Sequence, residues 1–478
     1  MPGDRTRKPH VLAAPPACIH RPTRLPFPPV AGTRRDRRIA PTHVKDHTMK
    51  VACGQMRAVT INDAASVWPI VERHAEQAHQ AGADLLVLPE TTYPAYWLES
   101  VERYLREDIE RSAAVLTRFG QIARRHAMWL VAGFVEEREG KLHNSAAVFD
   151  RRGELIHIAR KSFLWDCDNR WFEPGWQIAA FDSEFGRMGV LICADCRAPE
   201  VAATLVSDGA RILLLPTAWV NAGPRGIYRN VHPEFLVRAR AMEFGVPIVC
   251  CSKSGAEADK LEYVGQSRVV DARGETLATA PAEGDPLIVA DVSPGRPRPP
   301  HPSESDMSRL FAPPAAVPID RHGTQVEVNP AGAIDAVMTK LVNAGGRMAI
   351  LESADAESFV RARCEAMQGA SILWFDGPPV DEALLRARAA ENRVFVVAAD
   401  ERIRLMVSPD GGIAWREASE NSKTADAPVQ LNLADAEVKL YTPSTNLWIQ
   451  RRVACYRLGR PPEPETIACT SGSPARPA

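Results

Sequence analysis

The chain has 478 residues, 45% of them hydrophobic and 24% charged, and its 30 Gly and 39 Pro follow no fixed period. This excludes a mostly disordered or fibrous chain and suggests roughly two to four domains, or one large unit with an appendage. The net charge of −1 excludes a uniformly acidic or basic protein, yet it averages a basic head and an acidic body: residues 1–48 hold ten Lys or Arg against three Asp, leaving 48 basic and 56 acidic residues beyond them.

That head is rich in Arg and Pro and has no apolar stretch of signal-peptide length. A basic tail of this kind can meet nucleic acid or a membrane surface. The plainer reading, adopted here, is a disordered extension or a start assigned upstream of Met49, with no nucleic-acid partner. No run approaches the roughly 20 apolar residues of a membrane helix, so no membrane association is expected. The ten cysteines, in a long chain without a signal peptide, read as free thiols of a cytoplasmic protein rather than a disulfide framework. Cys193 and Cys196 form a CxxC, but no second pair completes a zinc set.

From Met49 strands and helices alternate. Lys50–Gln55 reads as a first strand, and Val67, Ile70, Val71, Ala75 and Ala78 recur at helical spacing behind a cap at Asn62 or Asp63. Leu85–Leu88 is a buried strand closed by Pro89. A helix carrying Ile109, Ala113, Leu116 and Ala123 leads to the strand Trp129–Val135. Ser145–Phe149 and Leu155–Ala159 form a hairpin around Arg152-Gly153. Met188–Cys193, Ile212–Leu215, Val246–Cys251 and Leu287–Val292 are further strands, with helices at Pro199–Ser207 and about Glu234–Phe244. Hairpins mixed with helix–strand units predict a layered α/β sandwich.

Residues 294–329 then read as a linker, Pro- and Arg-rich at its start. Beyond it the chain repeats itself. Gly186–Leu215 aligns with Gly346–Phe375 at an offset of 160, with eleven of thirty positions identical. At an offset of 148, Arg240-Ala-Met-Glu243 falls on Arg388-Ala-Ala-Glu391. Two blocks in the same order predict a degenerate partial copy over 330–460, followed by a disordered tail at 461–478. Ser353 stands where Cys193 does, Glu357 where Arg197 does, and nothing upstream of the copy matches Glu90 or Lys161. The copy is therefore expected to be non-catalytic, replacing a subunit contact or covering a pocket mouth.

Three residues stand just past the carboxyl ends of apolar strands, where α/β proteins build sites: Glu90, Lys161 and Cys193. A carboxylate can take the thiol proton and return it to a leaving amine. An ammonium favours the thiolate and, with the backbone N–H of Ala194, holds an oxyanion. Singly, each residue type at such a place is more often packing or solvated surface.

Together they resemble the nitrilase, or carbon–nitrogen hydrolase, superfamily. Leu88-Pro89-Glu90, Arg160-Lys161-Ser-Phe-Leu164 and Gly189-Val-Leu-Ile-Cys193-Ala-Asp195 look like its three motifs, in its order and with its separations; Arg240–Glu243 and Gly265-Gln-Ser267 resemble later landmarks. The resemblance covers residues 49–293. It implies a four-layer αββα sandwich, a Glu-Lys-Cys triad, hydrolysis of a non-peptide C–N bond through a thioester, association of copies into a homo-oligomer, and no metal or organic cofactor. Asp168 falls where many members carry a second Glu; it keeps that positioning role with one methylene less reach, or the role is lost. Phe244 replaces a common Asn. Ala194-Asp195 stands where nitrilases usually have Trp-Glu, which favours small linear amide or N-carbamoyl substrates over nitriles. Tyr96, Trp97, Trp165 and Trp219 are pocket candidates, with Arg197 either pairing structurally or meeting a substrate carboxylate. The rivals of another class are a thiol redox protein using Cys193 and Cys196, and a non-catalytic scaffold.

Overall fold

The apolar runs on either side of Glu90 and Cys193 become the central strands of two sheets. The protein is seen here as a computed structural model that describes residues 48–220, 230–313, 325–330, 334–400, 403–417, 428–436, 439–442, 445–448 and 450–458. The expected basic extension, Thr48 apart, and the expected tail at 461–478 lie outside the described residues. Among those described, no helix is long and apolar enough to cross a membrane.

In the first sheet, Met49–Gly54 runs antiparallel to Leu287–Val292 and parallel to Leu85–Val87; Trp129–Arg138, Lys141–Phe149 and Leu155–Arg160 follow in order. In the second, Gly186–Val190 lies between Phe181–Ser183 and Ile212–Pro216, followed by Ile248–Cys251, Arg268–Val270 and Thr276–Thr279. Alternation along the strands sorts the side chains. Val51, Cys53, Leu85, Val87 and Val131 join one core with Met188, Val190, Ile212 and Leu214 of the other sheet. Ala52, Leu86, Leu130 and Ala132 point the opposite way, into a core with Val71, Ala75, Phe119 and Ile122 of the helices Val67–Gln80 and Ser112–Arg125. The helices Pro199–Ser207 and Val237–Phe244 cover the second sheet. The result is a helix–sheet–sheet–helix sandwich.

Local details differ from expectation. The first helix opens with a 3₁₀ turn, Ile61–Ser66, and Asp63 accepts from the Thr60 hydroxyl at 2.8 Å instead of capping the main helix. The helix near Glu234 begins as a π turn, His232–Leu236. Gly245 ends it at φ 65°, where a Cβ would sit 2.6 Å from the Arg296 carbonyl oxygen.

The stretch 294–329 is more than a linker. Glu304–Phe311 is a helix with a reciprocal cap: Ser303 Oγ accepts the Asp306 amide (3.1 Å), and Asp306 accepts the Ser303 amide (3.3 Å). Its Leu310 is buried, and the helix packs on Phe359–Met367. The prolines at 294–302 mark a real break, but the Ser-x-x-Asp signal just after them starts a new element. Gln325–Val328 also pairs with Val429–Asn432.

The C-terminal half holds a five-stranded sheet in the order Met348–Glu352, Ile372–Asp376, Phe395–Ala399, Ile403–Val407, Ile413–Arg416. Its first three strands are parallel and the next two antiparallel, as in the second catalytic sheet from Gly186–Val190 onward. One face packs Ile372, Trp374 and Val397 against Val337 and Leu341 of the helix Ile334–Asn343. The other face is covered by the helices Phe359–Met367 and Glu382–Asn392, whose apolar side chains join the core of the catalytic half.

Candidate active site

Glu90, Lys161 and Cys193 each leave a strand and converge between the two sheets. Glu90 follows Leu85–Val87, and its entry is tight. Gly133 on the neighbouring strand lies so close that a Cβ there would stand 2.4 Å from the Thr91 nitrogen and 2.5 Å from the Pro89 oxygen. Lys161 directly follows Leu155–Arg160. Cys193 starts the 3₁₀ turn Cys193–Arg197 with φ at 46°, a left-handed conformation that a non-glycine residue adopts at a cost. Asp195 holds that turn from within. Its carboxylate accepts from the Ser162 amide (3.0 Å) and hydroxyl (2.8 Å), the Phe163 amide (2.8 Å) and the Ile192 amide (3.0 Å). The nucleophile turn and the lysine loop are thus tied through one buried side chain.

Lys161 Nζ lies 2.6 Å from Glu90 Oε1 and 2.6 Å from Asp168 Oδ2, and all three side chains are fully buried. Asn144 joins the two acids, donating to Glu90 Oε1 (2.7 Å) and Asp168 Oδ1 (3.2 Å). The Ala218 amide donates to Glu90 Oε2 at 2.9 Å. Asp168 closes its own turn by accepting from the Trp165 amide at 2.8 Å. The structure therefore brings Asp168 to Lys161 despite its shorter side chain, because the turn Trp165–Asp168 carries the carboxylate inward.

Burial would depress the lysine, but Asp168 and Glu90 outweigh it and raise its pKa well above the ordinary value. Burial, together with Asp168, pushes the Glu90 carboxyl up against the opposing pull of Lys161. Burial and then Glu90 push the Cys193 thiol up to about 12, with Lys161 opposing. The resting site thus pairs a neutral thiol with a carboxylate of raised proton affinity and an ammonium held charged by two acids.

Among the aromatic candidates, Tyr96 lies beside the catalytic lysine: Lys161 Nζ sits 5.6 Å from its ring centroid. Trp97 packs edge-on against Trp171 at 5.0 Å, and its amide donates to Glu257 (2.6 Å). Trp219 stacks on His232 (5.6 Å, 20°). Trp165 lies under the Arg197 guanidinium at 4.7 Å, so Arg197 has an internal aromatic partner. Asn144, His232, Lys253 and Glu257 are buried and escaped the sequence reading. Asn144 alone left a signal: with Ser145 it makes a polar pair heading the apolar run Ala146–Phe149. Among the described residues no three His, Cys, Asp or Glu are grouped to hold a metal ion.

Residues 50–299, just over half of the chain, match the carbon-nitrogen hydrolase family. The chain is 32% identical over 230 residues to Omega-amidase NIT2-B of Xenopus laevis, covering 45% of this chain and 79% of that protein. It is 31% identical over 229 residues to Omega-amidase NIT2 of Homo sapiens, again 45% and 79%. A crystal structure of an amidase from Nesterenkonia sp. is similar at 25% identity and a TM-score of 0.46, over 52% of this chain and 92% of that one. The match over residues 50–299 takes in Glu90, Lys161 and Cys193 together, and on it the chain belongs to the carbon–nitrogen hydrolase family and is an enzyme of that class.

Proposed function

We propose that the protein hydrolyses the C–N bond of small linear amides or N-carbamoyl compounds through a thioester on Cys193. The observation that carries this reading is the buried constellation in which Lys161 Nζ lies 2.6 Å from Glu90, with the Cys193 thiol close enough for both charges to act on it. The Cys193 thiol passes its proton to Glu90 as its sulfur bonds to the substrate carbonyl carbon. The oxyanion that forms is held by the Lys161 ammonium and the Ala194 N–H. The C–N bond breaks, Glu90 returns the proton to the departing nitrogen, and ammonia or an amine leaves. Water, deprotonated by Glu90, attacks the thioester; the acid departs and the proton goes back to sulfur. Asp168 keeps the lysine charged and aimed, and Asn144 spaces the two acids.

The omega-amidase names of the relatives favour an amide at the end of a linear acyl chain, with Tyr96 beside the acyl group. Cys196 is fully buried and its thiol is pushed up to about 12, chiefly by burial, which favours packing over redox exchange with Cys193. The test is ammonia release from a panel of amides, carbamoyl compounds and nitriles, with mass spectrometry of the intact protein to catch an acyl adduct on Cys193. Turnover of nitriles alone, or turnover that survives Cys193→Ala, refutes the reading.

A further inference from the structure

The C-terminal half meets the catalytic half through a buried network that reads the same from both sides. Arg240 pairs with Glu243 on its own helix (2.8 Å) and with Glu391 across the contact. Arg388 pairs with Glu391 on its own helix and with Glu243 across the contact (2.9 Å). The remaining donor of each arginine takes a carbonyl after the matching strand: Arg240 Nε to Cys196 (3.0 Å), Arg388 Nε to Ala356 (3.2 Å). These partners are separated by the offsets of 148 and 160 seen in the sequence. The helices Glu382–Asn392 and Phe359–Met367 thus face Val237–Phe244 and Pro199–Ser207 about a local pseudo-two-fold, as two copies of one surface would.

Past this contact, the described residues among 439–442, 445–448 and 450–458 contact the catalytic half. Arg451 and Arg363 both pair with the buried Glu200 (2.9 and 3.2 Å), and the Arg457 amide donates to Thr204 Oγ1 (3.0 Å). Cys455 Sγ donates to the Trp176 carbonyl, and Gln450 Nε2 donates to Asn169 Oδ1 (3.0 Å). The buried Thr445 Oγ1 accepts the Asp166 amide at 2.7 Å and is itself held by the Thr442 hydroxyl at 2.9 Å. Asp166 has φ at 34°, so this bond falls on the kinked residue of the turn Trp165–Asp168. Asp168, two residues on, is the acid that grips Lys161. Two bonds from the C-terminal half therefore bracket the residue that orients the catalytic lysine.

We propose that the C-terminal half is a partial copy acting as a built-in partner, and that its Thr445, with Gln450, is a positioning residue that fixes the turn Trp165–Asp168 and through it Lys161. This rests on the site assigned under Proposed function. Small displacements of a reacting group cost about tenfold to a hundredfold in rate.

The test uses the full-length chain and the variants Thr445→Val, which keeps the shape without the acceptor, and Thr445→Ser, which keeps the acceptor. Two rates are measured: kcat and KM on the best amide, and alkylation of Cys193 by iodoacetamide against pH, followed by peptide mass spectrometry. Thr445→Val is expected to lower kcat about tenfold or more with KM nearly unchanged, to slow alkylation and shift its pH profile, and to be rescued by Ser. Wild-type kcat and alkylation in Thr445→Val, or failure of Ser to rescue, overturns the proposal. Should Thr445→Val not fold, Gln450→Leu takes its place, with an unchanged alkylation profile counting against. Alkylation needs no turnover, so an enzyme inactive on every amide refutes the function while this contrast still tests the positioning.

Discussion

Glu90→Gln probes the centre of the site, and the structure sets its size. The Cys193 thiol is pushed up to about 12 by burial and by Glu90. At pH 7, well below that value, the thiol is held in its protonated form. Attack then needs the proton taken in the same step, and Glu90 is the carboxylate placed to take it. Glutamine keeps the shape beside Asn144 and the Ala218 amide but cannot accept that proton. A positioned general base contributes about 10²–10⁴-fold, so kcat/KM at pH 7 should fall by about that factor. The pH dependence should change as well. In the wild type the active form is the Glu90 carboxylate. Its pKa is raised, so activity is lost as pH falls through a value above that of an ordinary glutamate. In Glu90→Gln that acid limb disappears. Removing the negative charge also lowers the thiol toward Lys161, so the residual rate should climb steadily with pH. Ammonia release from pH 5 to 10 reads both effects, with thermal melting as the check on folding. A variant within tenfold of wild type at pH 7, or one that keeps the acid limb, would refute Glu90 as the base.

Cys193→Ala should abolish turnover, with any remaining ammonia release at background, while melting within a few degrees of wild type. Asp168→Asn keeps the size but removes one of the two charges that raise Lys161 and turns one of its two acceptor oxygens into a donor; kcat should drop about 10- to 100-fold, with the alkaline limb of the profile moving down as the ammonium becomes easier to lose. Glu391→Gln leaves Arg240 and Arg388 short of a buried charge and should destabilise the protein by about 3–5 kcal/mol in urea unfolding, with kcat of the folded fraction little changed. Gly133→Ala should cost several-fold in kcat as well as stability, because its Cβ would displace the Pro89–Thr91 backbone on either side of Glu90; a fully active, equally stable variant would show that this close approach is not needed.

The features readable from the residues alone are local. Leu85–Val87, Leu155–Arg160 and Gly186–Val190 were legible because apolar runs of strand length end in residues that cannot continue them, and those ends carry Glu90, Lys161 and the turn of Cys193. The expected repeat came from two short matches, three of the four letters of Arg240–Glu243 recurring at Arg388–Glu391 and eleven of thirty at Gly346–Phe375. The helix at Glu304–Phe311 was missed because the prolines before it outweighed a two-residue cap signal. The partners set by folding are those far apart along the chain. Asp168 reaches Lys161 through a turn whose inward carboxylate no spacing rule specifies, and Asn144 bridges acids 54 and 24 residues away. Arg240 meets Glu391 across 151 residues, and Thr445 meets Asp166 across 279. A hydrogen bond leaves no periodicity in a sequence, and a buried charge is satisfied by whichever partner the packing brings within about 3 Å. The letters name the reactive groups; the fold chooses which charges face them.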